Sequence, residues 1–457
     1  MATTILSSGY RALLAALLLC CFLPASAAWV TDAKTSRQYS VPLGTPCADS
    51  EVDKSPTGAV RYRNVEVKPG VAVPFRCKQA ASPPGVTPAG YAVKTGKIFD
   101  AAGHEVQLRG ISHHGFNGSG LQPQNLWNMN WQRQIAHMKE LGFNAIRLPF
   151  VPDTLYAPAS AREYVDARLN PDVAGLTPLQ FLDRWMEEAD RQGMYILLDF
   201  HSVSKKSQYF HPHVTDPNDY SAGKWVETYN QRAYTSLDWV RDLKFVATRY
   251  AKLKHFIGID IFNEPRDRIR WTTTDPALAG WKPLAESAAS AILTANPNLL
   301  IFVQGITANF DGKEKQLPLN WGENLQPQAY APLNIPATKL VFAPHSYGPS
   351  VYMKTSFTAP NFPNNLAADW ETLFGFLSPK FAVTPGEWGG RFGFEGDNTN
   401  GLDKKWGDAF IAWMASKKFA GNWFWCYTNS GDTGAILDDN LNVIQGKMDM
   451  IKKSWGL

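Results

Sequence analysis

The amino-acid sequence predicts an α/β fold: a (β/α)8 TIM barrel with enlarged βα loops, behind a small β-rich N-terminal appendage. Three observations predict it. Eight short apolar strand candidates alternate with helical segments between residues 95 and 457, the order expected of a parallel sheet with crossover helices. Seven of these strands end in polar or aromatic residues, and a barrel gathers such ends on one rim. No glycine-rich phosphate fingerprint follows an early strand, which weakens the rival doubly wound open sheet.

The strand candidates are Val106–Ile111, Ala145–Leu148, Tyr195–Phe200, Ile257–Phe262, Leu299–Val303, Leu340–Ala343, Phe381–Thr384 and Asn422–Trp425. Between them, Trp131–Leu141 carries apolar residues at Ile135, Met138 and Leu141 and stops at Gly142, a helix with its C-terminal signal. Leu179–Arg191, Ser236–Leu253 and Pro283–Ala295 have the same character.

The N-terminal part reads differently. Residues 1–28 have the pattern of a secretory signal peptide: Arg11 precedes an apolar run from Ala12 to Leu23, and Ala25-Ser26-Ala27 offers a small-residue cleavage site. The run is short for a bilayer span, so no membrane attachment is expected of the mature form. Export out of the cell is the expectation. Lipid anchoring through Cys20 or Cys21 ranks below it, because small residues do not precede them. Residues 29–79 hold short Val- and Tyr-containing runs broken by Pro and Gly, a small β-rich region. Residues 80–94 begin with a stiff Pro-rich linker and lead into the second domain, 95–457.

Composition excludes several classes of function. Forty-five basic against 41 acidic residues give a net charge of +4, and no basic run suggests nucleic acid or an acidic membrane. Of the five cysteines, Cys47, Cys77 and Cys426 survive signal cleavage. Cys47 and Cys77 could close a disulfide in an oxidising compartment, and Cys426 reads as a small buried hydrophobe. No Gly-x-Ser-x-Gly elbow or His-Glu-x-x-His helix is present, which argues against serine-hydrolase and zinc-protease chemistry. Sixteen tryptophans suit stacking on sugar faces, though large cores use them as well.

The strand ends carry the chemistry. They are His113-His114, Arg147-Leu148-Pro149, Asp199-Phe200-His201, Asn263-Glu264-Pro265, His345-Ser346-Tyr347, Glu387-Trp388 and Trp423-Phe424-Trp425. Gly110-Ile111-Ser112-His113-His114-Gly115 resembles the first-strand motif of family 5 glycoside hydrolases, the family of many bacterial cellulases. Phe143–Pro149, Asn263-Glu264-Pro265, His345-Ser346-Tyr347 and Gly386-Glu387-Trp388 follow in that family's order and approximate spacing. The stretch from Asn429 to Gly434 resembles the loop after strand eight in its endoglucanases. The resemblance covers roughly residues 95–457.

The resemblance implies a monomeric, cofactor-free and metal-independent enzyme that cleaves β-1,4-glucan within the chain. In that reading Glu264 is the acid/base and Glu387 the nucleophile, each weighed against an ordinary solvated loop carboxylate. Arg147 and Tyr347 would orient Glu387, and Asn263 would bind the sugar 2-hydroxyl. His201 and His345 would surround the reacting sugar, and His114 would contact a neighbouring one. Trp425 is the sugar platform, with Trp423 as the alternative; Trp388 and Trp321 are further candidates to face the cleft, and His113 is left as support. A zinc site built from Asp199, His201 and His345 is the competing use of the histidines. β-Mannan, xyloglucan or another β-linked polymer is the alternative substrate, and a non-catalytic sugar-binding protein the alternative class.

Overall fold

The computed structural model describes residues 90–457 except 164, 204–223, 226–231, 267–268, 276–277, 308–312, 429–432 and 457; before residue 90, as at 224–225 and 232–233, it describes strand backbone alone. The segment 1–26, Cys47, residues 80–89 and the Asn429–Asp432 stretch lie outside the described residues. The chain divides into two compact units, residues 1–87 and 88–457.

The first unit contains a five-stranded antiparallel sheet. Val71–Lys78 is central, flanked by Ala27–Asp32 and Gly58–Lys68, with Gln38–Pro42 and Val52–Ser55 outside them.

The second unit opens with a three-stranded antiparallel sheet, Ala92–Lys94, Lys97–Phe99 and Glu105–Val106. The barrel follows: β1 (Leu108–Ser112), β2 (Ala145–Phe150), β3 (Tyr195–Phe200), β4 (Phe256–Asp260), β5 (Leu300–Val303), β6 (Leu340–Phe342, then His345–Tyr347), β7 (Ala382–Val383, then Glu387–Gly389) and β8 (Gly421–Phe424). β6 and β7 are each interrupted by a proline, Pro344 and Pro385, which has no N–H for the ladder. Their carbonyls still accept, from Gly386 and Trp423, so the two halves of each strand act as one. Neighbours pair in parallel, and β8 pairs back onto β1 from Gly421↔Leu108 to Phe424↔Ile111, which closes the ring.

Outside the ring lie α1 (Trp131–Glu140), α2 (Pro178–Arg191), α3 (Ser236–Arg249), α4 (Trp281–Ala295), α5 (Leu366–Leu373), α6 (Leu402–Lys417) and α7 (Gln445–Ser454). Their starts are written locally. The Asn130 and Thr177 side chains cap α1 and α2 by accepting N–H bonds from Arg133 and Gln180, and Thr235 and Asp238 form a reciprocal capping box on α3. Between β5 and β6 the described residues hold only the 3-10 turn Gln326–Ala329, so that connection is a loop leaning over the rim. The eight predicted strands are all present. The first is split, because Val106 belongs to the preceding small sheet and β1 begins at Leu108.

Side-chain alternation sorts the ring. Leu108, Ala145, Leu197, Leu300, Phe302, Val341 and Trp423 fill the interior in one buried cluster. Two residues further along the same inward faces come Arg147, Asp199, Gln304 and Trp425, now at the rim. The barrel's periodicity therefore converts a strand that packs below into a polar site above.

The packing leaves no slack beneath the site. A Cβ added at Gly110 would lie 2.3 Å from Trp423 Cε3 and 2.8 Å from the Asn422 carbonyl oxygen. Gly110→Ala should therefore destabilise the barrel by about 1–3 kcal/mol, the usual cost of overpacking. The check is a lowered urea midpoint with an unchanged m-value.

Candidate active site

The site is built around Arg147, the third residue of β2, which is fully buried. Nη1 donates to Glu387 Oε1 at 2.5 Å. Nη2 donates to Asp260 Oδ2 and to Asn263 Oδ1, both at 3.0 Å, and lies 3.0 Å from Asp199 Oδ1. Nε reaches Asp260 Oδ2 at 3.2 Å. Burial by itself would drive the guanidinium pKa down, but Asp199, Glu387 and Asp260 outweigh it and hold the charge in place. The two buried aspartates respond in the opposite sense. Loss of solvent raises Asp199 and Asp260 well above the ordinary carboxylate range, with Arg147 pulling each back.

Glu387, at the start of the second half of β7, has a donor on each oxygen: Arg147 on Oε1 and the Tyr347 hydroxyl on Oε2, the latter at 2.5 Å. Glu264 follows the end of β4 and precedes Pro265, which disfavours the right-handed helical region. Its backbone takes φ +52°, in the left-handed region. The strained peptide is pinned by its own N–H, which donates to Gln304 Oε1 at 2.8 Å. Gln304 Nε2 in turn donates to Asp260 Oδ2 at 2.8 Å, so one amide joins the Arg147 cluster to the Glu264 backbone. Gly322 lies over that amide with φ +73°, and a Cβ there would meet Gln304 Oε1 at 2.7 Å.

The imidazoles are neutral. Burial lowers His345 to about 3 and His201 to about 4. His345 Nδ1 sits between the two carboxylates, 3.1 Å from Glu264 Oε1 and 3.5 Å from Glu387 Oε2. His201 Nδ1 is 2.6 Å from Asp199 Oδ2, which fixes the ring. The Trp425 ring stacks with both His114 and His201, centroids 5.7 Å apart in each case.

His114, His201, Asn263, Glu264, Tyr347, Glu387 and Trp425 thus line a single cleft of about 670 Å³, with Arg147 and His345 buried behind them. All nine predicted site residues meet in one place. Trp425, the next inward-facing position beyond the core residue Trp423, is the ring in the cleft. Trp321 also lines it, half exposed. Trp388 does not. It is fully buried and donates to Asn422 Oδ1 at 2.9 Å, because its strand turns it outward into the helical layer. His113 is likewise buried, 2.6 Å from Gln134 Oε1. Cys426 is buried and outside any disulfide.

Sequence reasoning missed Gln304, Asp260 and Arg266. Gln304 was findable as the polar residue that ends β5, the one strand for which no rim group was predicted. A further unforeseen element ties the cleft wall together. Glu323, fully buried, accepts from Ser346 Oγ (2.8 Å), Lys354 Nζ (2.9 Å) and the Asn320 N–H (2.7 Å), while Asn320 Oδ1 accepts from the Tyr347 N–H.

Among the described residues, two groups have the spacing of metal ligands: Asp199, His201 and Glu387, and Glu264, His345 and Glu387. Both share Glu387, whose oxygens already accept from Arg147 and Tyr347. A cation there would also face the Arg147 guanidinium at close range.

A closed (β/α)8 barrel carrying two carboxylates close together on its C-terminal rim has the arrangement that barrel glycoside hydrolases use. A family model described as "Cellulase (glycosyl hydrolase family 5)" matches residues 99–431. The chain belongs to glycosyl hydrolase family 5. It is 40% identical to the major extracellular endoglucanase of Xanthomonas campestris pv. campestris over 79% of this chain and 70% of that protein. An endoglucanase of Paenibacillus polymyxa is 31% identical over 79% of this chain and 86% of its own length. The solved catalytic domain of the Xanthomonas enzyme superposes with a TM-score of 0.73 at 39% identity, covering 80% of this chain and all of that one. A variant of the endocellulase from Pyrococcus horikoshii, solved with cellotetraose, does so at 0.70 and 30% identity, covering 81% of this chain and 99% of that one.

Removing the central cation should expose what it balances. Arg147→Gln leaves Asp199 and Asp260 buried without their counter-charge, at a cost of about 3–5 kcal/mol near neutral pH. A carboxyl whose folded pKa is raised binds its proton more tightly in the folded state. The lost stability should therefore return as pH falls through the raised pKa values toward roughly 4, the unfolded value. Denaturant unfolding of both proteins at pH 7 and pH 5 checks this; a difference that stays constant or grows on acidification would contradict it.

Proposed function

We propose that this family 5 enzyme is an exported, monomeric endo-β-1,4-glucanase that works by double displacement with net retention, needing no metal or cofactor. The observation that carries the proposal is the contrast between two neighbouring carboxylates. Glu387 accepts from a guanidinium and a phenol, the surroundings of an ion held ready to attack. Glu264 sits against a neutral imidazole at the mouth of the cleft, where it can exchange a proton with a leaving oxygen or a water. One oxygen of each lies with His345 in a group whose atoms are all within 4.8 Å. So close an approach suits the close carboxyl pair of retaining enzymes better than the wider spacing, roughly 6.5–9.5 Å, of inverting ones.

In this reading Glu387 attacks the anomeric carbon while Glu264 protonates the departing glycosidic oxygen. Glu264, now ionised, takes a proton from the water that releases the glycosyl group from Glu387. Asn263 gives its amide oxygen to Arg147, leaving its amide nitrogen as the donor for a sugar hydroxyl. Trp425, in ring contact with His114 and His201, lines the cleft and offers an apolar indole to the sugar being cleaved. The endoglucanase names of the relatives favour β-1,4-glucan as the polymer, and the extracellular Xanthomonas relative agrees with the export pattern of residues 1–28. A reducing-sugar assay across glucan, mannan and xyloglucan tests the polymer. Faster release from mannan or xyloglucan than from glucan would displace this choice.

Glu264→Ala should nearly abolish glucan cleavage yet spare the first step on an activated aryl cellobioside, because an activated phenol leaves without protonation. The following water attack lacks its base, so a burst of phenol should appear. Equal slowing of both substrates with no burst would remove Glu264 from the role.

Glu387→Gly should be inactive, and added azide should restore turnover of the aryl glycoside with inverted product. Rescue that gives only retained product would count against Glu387 as nucleophile.

A further inference from the structure

Arg266 stands two residues beyond Glu264, and neither the motif Asn263-Glu264-Pro265 nor the proposed chemistry gives it a task. It is nearly buried, at 8% exposure, yet it lines the cleft. Its Nη1 is 3.2 Å from Glu264 Oε2, the oxygen opposite the one facing His345. Its guanidinium carbon lies 4.0 Å from the centroid of the Trp321 ring. A planar cation on an indole is held in orientation as well as in place. Trp321 belongs to the loop after β5 whose neighbours Asn320 and Glu323 are bonded to β6, so the brace behind Arg266 is itself anchored.

We infer that Arg266 is a positioning residue for the acid/base step: held by Trp321, it fixes the protonation range of Glu264. The inference rests on the reading of Glu264 as acid/base. The other charged or titratable groups around Glu264 act differently. Glu387 and Asp199 are negative or potentially negative and favour its protonated form. His345 and His201 are neutral, and Arg147 is committed to Glu387, Asp260 and Asn263. Arg266 supplies positive charge in direct contact with the carboxylate and favours the ionised form. The balance decides the pH above which the enzyme loses its proton donor. Arg266 thereby lowers that limit and, in exchange, makes the same carboxylate easier to recover as a base after each first step.

The test is the pH dependence of kcat/KM on a soluble β-1,4-glucan for wild type, Arg266→Met, Arg266→Lys and Trp321→Ala. Arg266→Met should move the alkaline limb upward by about 1 pH unit, as loss of an opposite charge at this distance predicts, and leave the acidic limb in place. Arg266→Lys, which keeps the charge, should leave the limb near the wild-type position. Trp321→Ala, which removes no titratable group, should move it upward by less, because the guanidinium is no longer braced. A merely structural role would scale the whole profile without shifting one limb. If Arg266→Met does not fold, Arg266→Gln serves in its place. An unshifted alkaline limb in the charge-removing variant overturns the inference. Glu264→Ala, compared with wild type on the activated aryl cellobioside that it can still cleave, separates the two failures. If it loses the alkaline limb while Arg266→Met leaves that limb unmoved, only the role of Arg266 falls. If it keeps the wild-type limb, the assignment of Glu264 itself falls.

Discussion

A single guanidinium buried at the top of the barrel holds the site together. Arg147 has no contact with solvent, and an uncompensated charge there would cost several kcal/mol. Compensation comes from Glu387, Asp199 and Asp260 on three different strands and from the Asn263 amide beyond β4. The electrostatic requirement of one side chain therefore fixes the relative positions of β2, β3, β4 and β7 at their C-terminal ends. A lysine could not do this, because an ammonium has no planar fork to meet partners on several sides at once. Arg147 is thus a constraint on the geometry of the rim first and a partner of Glu387 second.

The path from that constraint to Glu264 runs through Gln304. The amide donates to Asp260 and accepts from the Glu264 N–H, so the left-handed backbone of Glu264 is held by the same cluster that orients Glu387. Such strain persists where surroundings over-determine it. Here they do, with Pro265 on one side, Gln304 beneath and Gly322 closing over Gln304 with no room for a Cβ. The two carboxylates are consequently not independent. A shift of the Arg147 cluster would reach both, one through an ion pair and the other through an amide and a peptide bond.

Much of this was legible in the sequence, and the reason is periodicity. Strands that alternate inward and outward, with their polar ends on one rim, are readable from apolar runs and the residues that follow them. Eight strands and seven rim clusters could therefore be placed from the chain alone, and the resemblance to family 5 singled out the nine site residues among them. Trp425 against Trp423 needed the phase of β8 as well. Trp423 pairs in register with Gly110 and fills the interior, which puts Trp425 at the next inward position. What remained hidden depended on contacts between segments distant in sequence. Trp388 looked like a cleft residue because it follows Glu387, but alternation sends it into the helical layer. Glu323 and Lys354 are 31 residues apart and carry no motif; only the fold shows that their buried pair ties the wall bearing Trp321 to Tyr347. Asp260 was hidden for the same reason, since a buried carboxyl against a buried amide has no local signature, whereas Gln304 was readable from its place at the end of β5.

The asymmetry of the two carboxylates follows from where each stands relative to the low-dielectric floor. Asp199 and Asp260 lie deepest, and burial drives both toward their neutral forms despite Arg147. Glu387 stands one layer above, at the edge of the cleft, with Tyr347 adding a donor the two aspartates lack. With the two aspartates drawn toward their neutral forms, more of the guanidinium's charge is left to the carboxylate facing the cleft. Glu264 has different contacts, a neutral imidazole on one oxygen and Arg266 on the other. Each carboxylate thus has its own arginine within one coupled site, Arg147 on Glu387 and Arg266 on Glu264. The difference between their remaining contacts is what gives one the work of a nucleophile and the other the work of an acid.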